Sequence, residues 1–231
     1  MLLAAYLAAS SAQASAGAWG GSLGAATEYV FRGLSQSDGH PSAQADAHYY
    51  WNSGAFAGLW AATVERNSNR GTTAELNAYL GYSWPMGSDW SAKIAAVHYD
   101  YPWNKPRKLY SYDEFEVTTA YVDYAFLTVS ASPDTSFEST RGTGTHHAAF
   151  SYDLTLRMPL PYGLSANAGI GYYDLHHVIG VGYAYWDAGL GYALGPVQFE
   201  VSYIGTNATA KTLFYDDAAE NRWVASVLWH F

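Results

Sequence analysis

The amino-acid sequence predicts an all-β fold, a transmembrane antiparallel β-barrel of about 12 strands in up-and-down order. Three observations carry this expectation. The chain ends in a strand with one wholly apolar face. Segments of alternating polarity recur along its length. The joints between those segments are alternately short and long.

The closing segment runs from Asn221 to Phe231. Its odd positions are Trp223, Ala225, Val227, Trp229 and Phe231, and its even positions are Arg222, Val224, Ser226, Leu228 and His230. Successive side chains of a strand point to opposite faces, so one face is apolar and aromatic-tipped and the other is mixed. A bare aromatic edge invites pairing with other chains in a soluble domain. In a barrel closed within a bilayer, that face meets acyl chains and the edge meets the first strand. The stretch resembles the closing strand of bacterial outer-membrane barrels, in which a terminal Phe belongs to the assembly signal. The resemblance implies that Phe231 is read by a barrel-assembly machinery.

Composition points the same way. Of 231 residues, 49% are hydrophobic, but only 13% are charged, which leaves few charges to solvate a surface. Tyr (21) and Trp (9) are abundant, and amphipathic rings suit the membrane interface. The soluble alternative is a Tyr-rich sandwich or lipocalin-like barrel. Cysteine is absent, which excludes a thiol nucleophile, Cys metal sites and disulfides. A formal net charge of -9 and the lack of a long basic run argue against nucleic acid as a partner.

Residues 2–9 are apolar, and Ala14-Ser15-Ala16 has the small-x-small pattern of a leader cleaved after Ala16. The expected organisation is a secretory leader at 1–16, lacking its basic start and so recorded too late or truncated, then a single barrel domain at 17–231. After the leader, no run approaches the roughly 18 apolar residues of a spanning helix.

The strand candidates follow in order, each with an apolar face set against a polar one. Leu23 to Phe31 places Leu23, Ala25, Thr27, Tyr29 and Phe31 outward. Ala43 to Trp51 opposes Gln44, Asp46, His48 and Tyr50. Phe56 to Glu65 has Phe56, Trp60, Ala62 and Val64 outward. Glu75 to Trp84 has Leu76, Leu80, Tyr82 and Trp84 outward. Trp90 to Tyr101 changes face partway, which predicts a bulge near Ala96 and leaves the facing of Lys93 open. Glu114 to Tyr121 and Leu127 to Ser132 alternate cleanly, as do Ala148 to Met158, Leu164 to Tyr172, Ala184 to Tyr192 and Val197 to Tyr203.

The short joints are Asn52-Ser53-Gly54, Pro85 to Asp89, Val122 to Ala125, Pro159 to Tyr162 and Gly195-Pro196. The long joints are Leu34 to Ser42, Asn67 to Thr72, Pro102 to Tyr112, Pro133 to Thr145, Asp174 to Gly182 and Asn207 to Glu220. Strict alternation, and hence an even strand number, is what a barrel with both termini on one side of the membrane requires.

Three stretches carry a family resemblance. Tyr29-Val30-Phe31-Arg32-Gly33-Leu34-Ser35-Gln36-Ser37-Asp38, with Pro41 and Gln44, is the most specific. Gly58-Leu59-Trp60-Ala61 and Glu75-Leu76-Asn77-Ala78-Tyr79-Leu80-Gly81-Tyr82 follow in the same order. They resemble the TorF-family porins across most of the mature chain. The resemblance implies an exported outer-membrane barrel and a channel, and says little about the solute.

With the apolar faces on lipid, the opposite faces line the lumen. The expected lining is Glu28, Arg32, Asp46, Glu65, Glu75, Glu114, Glu116, Asp153, Arg157, Asp187, Glu200 and Arg222. A Lys or Arg on the lipid face costs about 2–4 kcal/mol at mid-membrane, which supports placing these groups inside. The excess of carboxylates predicts a preference for cations. Alternatively, Arg32, Arg157 and Arg222 pair with carboxylates and plug the barrel. Barrels of about 8 strands are filled by side chains and those of about 16 hold a channel. Twelve lies between, so pore and plug both stay open, with the narrow pore preferred.

His146-His147 and His176-His177 are weak metal candidates, because neighbours on a strand point to opposite faces and each pair offers one ligand. No metal and no cofactor is expected. A rim Ser with a His two residues away would suggest a hydrolase, and its one instance, His40-Pro41-Ser42, is broken by Pro41. The expectation is therefore a narrow, non-enzymatic passage for small polar solutes. The alternative is a non-conducting surface barrel acting through its outer loops, where Lys105, Arg107 and Lys108, flanked by Trp103 and Tyr110, could touch lipopolysaccharide phosphates.

Overall fold

The computed structural model describes residues 17–66, 72–103 and 110–231. The expected leader and the basic loop of Lys105, Arg107 and Lys108 lie outside the described residues.

Twelve of its strands close a barrel, with every neighbouring pair antiparallel. In chain order the strands are β1 (Ala18–Ala26), β2 (Val30–Phe31), β3 (Leu34–Ser35), β4 (Ser42–Tyr50), β5 (Ala55–Arg66), β6 (Thr72–Pro85) and β7 (Trp90–Asp100). They continue with β8 (Tyr112–Tyr121), β9 (Ala125–Ser139), β10 (Gly142–Pro159), β11 (Leu164–Asp174), β12 (Tyr183–Leu194), β13 (Val197–Thr206) and β14 (Arg222–His230). β2 and β3 pair only with each other. The remaining twelve run in sequence around the wall, and β14 closes on β1 with Leu23 opposite Trp229 and Ala25 opposite Val227. Backbone bonds in both directions between Gly21 and Phe231 extend the seam to the last residue. Closure leaves no edge strand, as a wall in lipid demands.

The outer face is an apolar belt bounded by rings. Leu23, Leu80, Ile94, Val117, Leu127, Leu154, Ile170, Leu190 and Val201 are exposed around the wall. Near the short-turn end, rings meet in pairs: Trp19 with Tyr49 (5.2 Å), Trp90 with Tyr121 (5.1 Å) and Trp229 with Phe231 (5.2 Å). Toward the other end Tyr203 bridges Trp186 (5.5 Å) and Trp223 (5.0 Å). Two aromatic girdles flanking an aliphatic band are the signature of a wall that spans a bilayer.

Four expectations change. The first strand stops at Ala26, and Tyr29 and Phe31 do not reach lipid: Tyr29 is fully buried inside the barrel. β5 is turned over, with Leu59 66% exposed and Trp60 only 5% exposed. Both faces of this strand are apolar, so its own pattern does not choose between them. Pairing does, because Trp60 lies opposite Asp46 on β4 and Asn77 on β6, and all three must share the inner face. β7 has no bulge. Its pairing with β6 and β8 is continuous, so Val97, Tyr99 and Tyr101 point inward in phase with Lys93. The long joint after Pro133 is a hairpin instead, since β9 runs on to Ser139 and β10 begins at Gly142, with register shifts around His147.

Short helices lie in two of the long joints, at His176–Ile179 and Ala208–Leu213. The second is started by Asn207, whose side-chain oxygen accepts from the Ala210 N–H at 3.1 Å, satisfying one of the free amides of a helix N-terminus.

Candidate functional site

The interior has three zones, each set by which residues alternate inward. Along β4 to β8 it is packed. Tyr50, Phe56, Trp60, Tyr79, Val97 and Tyr99 form one buried aromatic cluster with Tyr29. Carboxylates are embedded in this zone as acceptors. Asp46 takes hydrogen bonds from the Tyr79 hydroxyl (2.7 Å) and faces His48 Nδ1 at 2.5 Å. Glu75 accepts from Asn77 (2.8 Å), Tyr101 (3.0 Å) and Tyr29 (3.4 Å). On the β7–β8 wall Lys93 and Glu116 are buried diagonal neighbours across the pair, since Lys93 lies opposite Thr118 and Ala95 opposite Glu116.

The second zone is a bar across the lumen, residues 27–41, which leaves β1 and returns to β4. Its tip is the two-residue turn Arg32-Gly33, both with positive φ (49° and 77°), between β2 and β3. Arg32 donates from Nη1 and Nη2 to both oxygens of Glu114 at 2.9 Å. Its guanidinium lies over the rings of Tyr173 (4.5 Å) and Phe31 (4.8 Å). The Tyr183 hydroxyl donates to the Arg32 carbonyl at 3.0 Å. Beyond the bar, on the long-loop side, a cavity of about 20 Å³ is lined by Phe31, Arg32, Tyr110, Tyr112, Phe137 and Tyr183, room for about one water.

The third zone is the inner wall of β10 to β13. Gly169, Gly171, Gly189 and Gly191 alternate inward with Asp153, Arg157, Asp187 and Glu200, and these four charged residues remain partly accessible. The glycines hold the wall open by letting neighbouring side chains lie flat. A Cβ on Gly171 would run into the Tyr185 ring, and one on Gly191 would come within 2.6 Å of Ser165 Oγ. Asp153 accepts from Tyr185 and from Ser151 (3.2 Å), and Glu200 from Ser202 (2.9 Å). Asp187 Oδ1 has no hydrogen-bond partner among the described residues. Three carboxylates thus share this wall with one guanidinium.

The expected lining residues divide accordingly. Asp46, Glu75, Glu114, Glu116, Asp153, Arg157, Asp187 and Glu200 face the interior from strands. Arg32 reaches it from the bar. Glu28 pairs with Arg222 where the bar leaves the wall, and Arg222 also donates to the carbonyls of Glu220 (2.9 Å) and Asp217 (2.5 Å). Glu65 is the exception: near the end of β5 its side chain is 48% exposed at the rim and faces His40 Nδ1 at 3.0 Å. Because β5 is turned over, its odd positions point outward, and Glu65 follows Leu59 and Thr63 on that face. Sequence reasoning left the facing of Lys93 open, aimed Tyr101 outward and did not single out Tyr183. Their signal was the fixed inner face of the paired strand, not their own alternation.

The histidines do not assemble. His146 Nδ1 meets Asp134 at 2.6 Å and His176 Nδ1 meets Asp174 at 2.6 Å, each exposed at the rim. No group of three or more candidate metal ligands occurs among the described residues.

This closed twelve-stranded wall has counterparts in fold among solved outer-membrane proteins. The fold is similar to the KdgM porin (TM-score 0.58, 7% identity, 92% of this chain and 99% of that one) and to the NanC porin (0.60, 7%, 91% and 98%). It is also similar to the COG4313 outer membrane channel from Pseudomonas putida F1 (0.55, 7%, 95% and 97%). By sequence, the chain belongs to the family described as "Bacterial protein of unknown function (Gcw_chp)", which matches residues 10–231. No curated protein matches it.

Proposed function

We propose that the protein is a narrow, passive channel for small polar solutes in the outer membrane of a Gram-negative bacterium, with a preference for cations. The observation that carries this reading is the β10–β13 wall, where the partly accessible Asp153, Asp187 and Glu200 outnumber the one Arg157. Accessible carboxylates in a confined lumen concentrate cations and repel anions. The likeness to the KdgM and NanC porins and the TorF-family resemblance support a channel over a catalytic barrel. Passage of this kind uses no cofactor.

In this reading residues 1–16 are an export leader, and the closing strand ending in Phe231 is the part handed to the barrel-assembly machinery. The belt sits in outer-membrane lipid, with the long joints among lipopolysaccharide headgroups. The test is single-channel recording after refolding into a planar bilayer, with reversal potential measured under a salt gradient. The expected result is discrete, cation-selective openings, with selectivity reduced in D187N/E200Q. An anion-selective reversal, or selectivity unmoved by that variant, would overturn the assignment.

A second reading has its own observation. Residues 27–41 lie across the lumen, as a non-conducting barrel acting through its outer loops would require. A correctly inserted barrel that stays silent, with and without that segment, would favour it.

A further inference from the structure

The bar across the lumen is a hairpin distinct from the strands of the wall. Ala26 and Ser42 lie opposite each other in the β1–β4 register, so the wall is already complete where the segment departs and returns. Thr27 still bonds Ala225 of β14 in both directions, and residues 28–41 then leave the wall, touching it again where the Glu65 N–H donates to the Gln36 carbonyl (2.8 Å). They are a separate hairpin that satisfies much of its own backbone. The Gln36 N–H donates to the Tyr29 carbonyl (2.8 Å), the Tyr29 N–H to Ser37 Oγ (2.9 Å), and the Gln36 side chain to the Leu34 carbonyl (3.0 Å). Withdrawn from the lumen, the unit gives up the bonds of its Arg32 and Gln36 carbonyls and its Ser35 N–H to the rest of the barrel, and these groups must then be met by water at the rim. It returns to the wall through Gly39, at φ 75° with open space around it, and Pro41.

What holds the hairpin inside is apolar along its arms, where Tyr29, Val30 and Leu34 are each buried in an apolar cluster of the barrel, and polar at its tip. Its tip spans from Glu114 on β8 to Tyr183 on β12. Gly33 leaves no room for a side chain against Tyr185 Cβ and Thr206, where a Cβ would come within 2.7 Å. The Arg32–Glu114 fork is the one ion pair joining the tip to the far wall among the described residues. Buried ion pairs contribute little net stability but fix one arrangement against others. That is the property of a latch.

We propose that residues 27–41 form a hinged gate, latched shut by Arg32 on Glu114, that closes the long-loop half of the lumen. The inference rests on the channel reading and names its regulation. With the latch engaged, solute reaching the β10–β13 wall from one side has no open route past the tip. With the hairpin swung toward the rim, that wall lines a continuous path.

Bilayer recordings of wild type, E114Q, R32E and R32E/E114R test this, with a fifth variant in which residues 29–37 are replaced by a Gly-Ser spacer. Heat-modifiable migration checks that each has folded. The expected result is a mostly closed wild type, with open probability raised more than about tenfold in E114Q and R32E. The exchanged pair R32E/E114R should return toward wild type, and the spacer variant should stay open. Folded latch and spacer variants that record like a conducting wild type would overturn the gate and leave the channel. Silence in the folded spacer variant would overturn both. If a single substitution fails to fold, the spacer variant decides between these outcomes.

Discussion

Arg32 and Glu114, 82 residues apart in sequence, meet as a buried two-bond fork with both distances at 2.9 Å and side-chain exposures of 6% and 1%. Removing one partner of such a pair leaves a charge unpaired, at a cost of about 3–5 kcal/mol when the site cannot rearrange. Here it can, because Arg32 sits on a hairpin hinged at the rim. E114Q should therefore free the hairpin without unfolding the barrel. Trypsin added to proteoliposomes should cut after Arg32 in E114Q and not in wild type, read by mass spectrometry of the fragments. A variant that stays protected at Arg32 but loses several kcal/mol of barrel stability would make the fork a core element instead.

Trp60 and Leu59 give a direct check on the facing of β5. Trp60 packs on Tyr29 with ring centroids 5.4 Å apart, whereas Leu59 faces outward. W60A opens a cavity inside the barrel and should cost about 3–5 kcal/mol, while L59A on the lipid side should cost far less. Urea midpoints of the two variants refolded in the same lipid measure the difference. The reverse ranking would restore the outward tryptophan that the sequence suggested.

That suggestion shows where sequence reading reached its limit. β8, β10, β11 and β13 were legible because carboxylates or glycines occupy one face and large apolar groups the other, as in Glu114, Glu116 against Phe115, Val117. β5 was not, since Phe56 and Leu59 are equally apolar. Its facing comes from Asp46 and Asn77 across the ladder, which is information held by the neighbours. The segment after Ala26 misled for a related reason. Tyr29 and Phe31 continue the alternation of β1, but their partners are Glu75, Trp60 and Tyr99 inside the lumen. Period-2 patterning reports that a strand has two faces; it does not report whether the strand lies in the wall or within it. The carboxylates of the lumen were legible as a set, but their division into paired and accessible groups needed three dimensions.

Gly171 sets the clearance of the open wall. The Tyr185 ring lies over it, and its hydroxyl donates to Asp153. G171A forces the ring off the wall, at about 1–3 kcal/mol for overpacking. The displaced ring also enters the lumen, so conductance should fall along with stability. G171A with conductance unchanged would mean that solutes do not pass beside β11.

Phe231 separates two roles of the chain end. Its N–H donates to the Gly21 carbonyl (3.1 Å) and its own carbonyl accepts from the Gly21 N–H (3.0 Å), while the ring packs on Trp229 and over Gly21. Each backbone bond contributes about 0.5–1.5 kcal/mol net, so deleting the residue should cost about 1–3 kcal/mol at the seam. F231A keeps both bonds and loses only the ring. Refolded in pure lipid, F231A should therefore stand close to wild type and the deletion clearly below it. In cells the order changes if the assembly machinery reads the aromatic end, because F231A and the deletion would then both fail to accumulate as heat-modifiable barrel. Equal accumulation of F231A and wild type in cells would confine Phe231 to its backbone role in closing the wall.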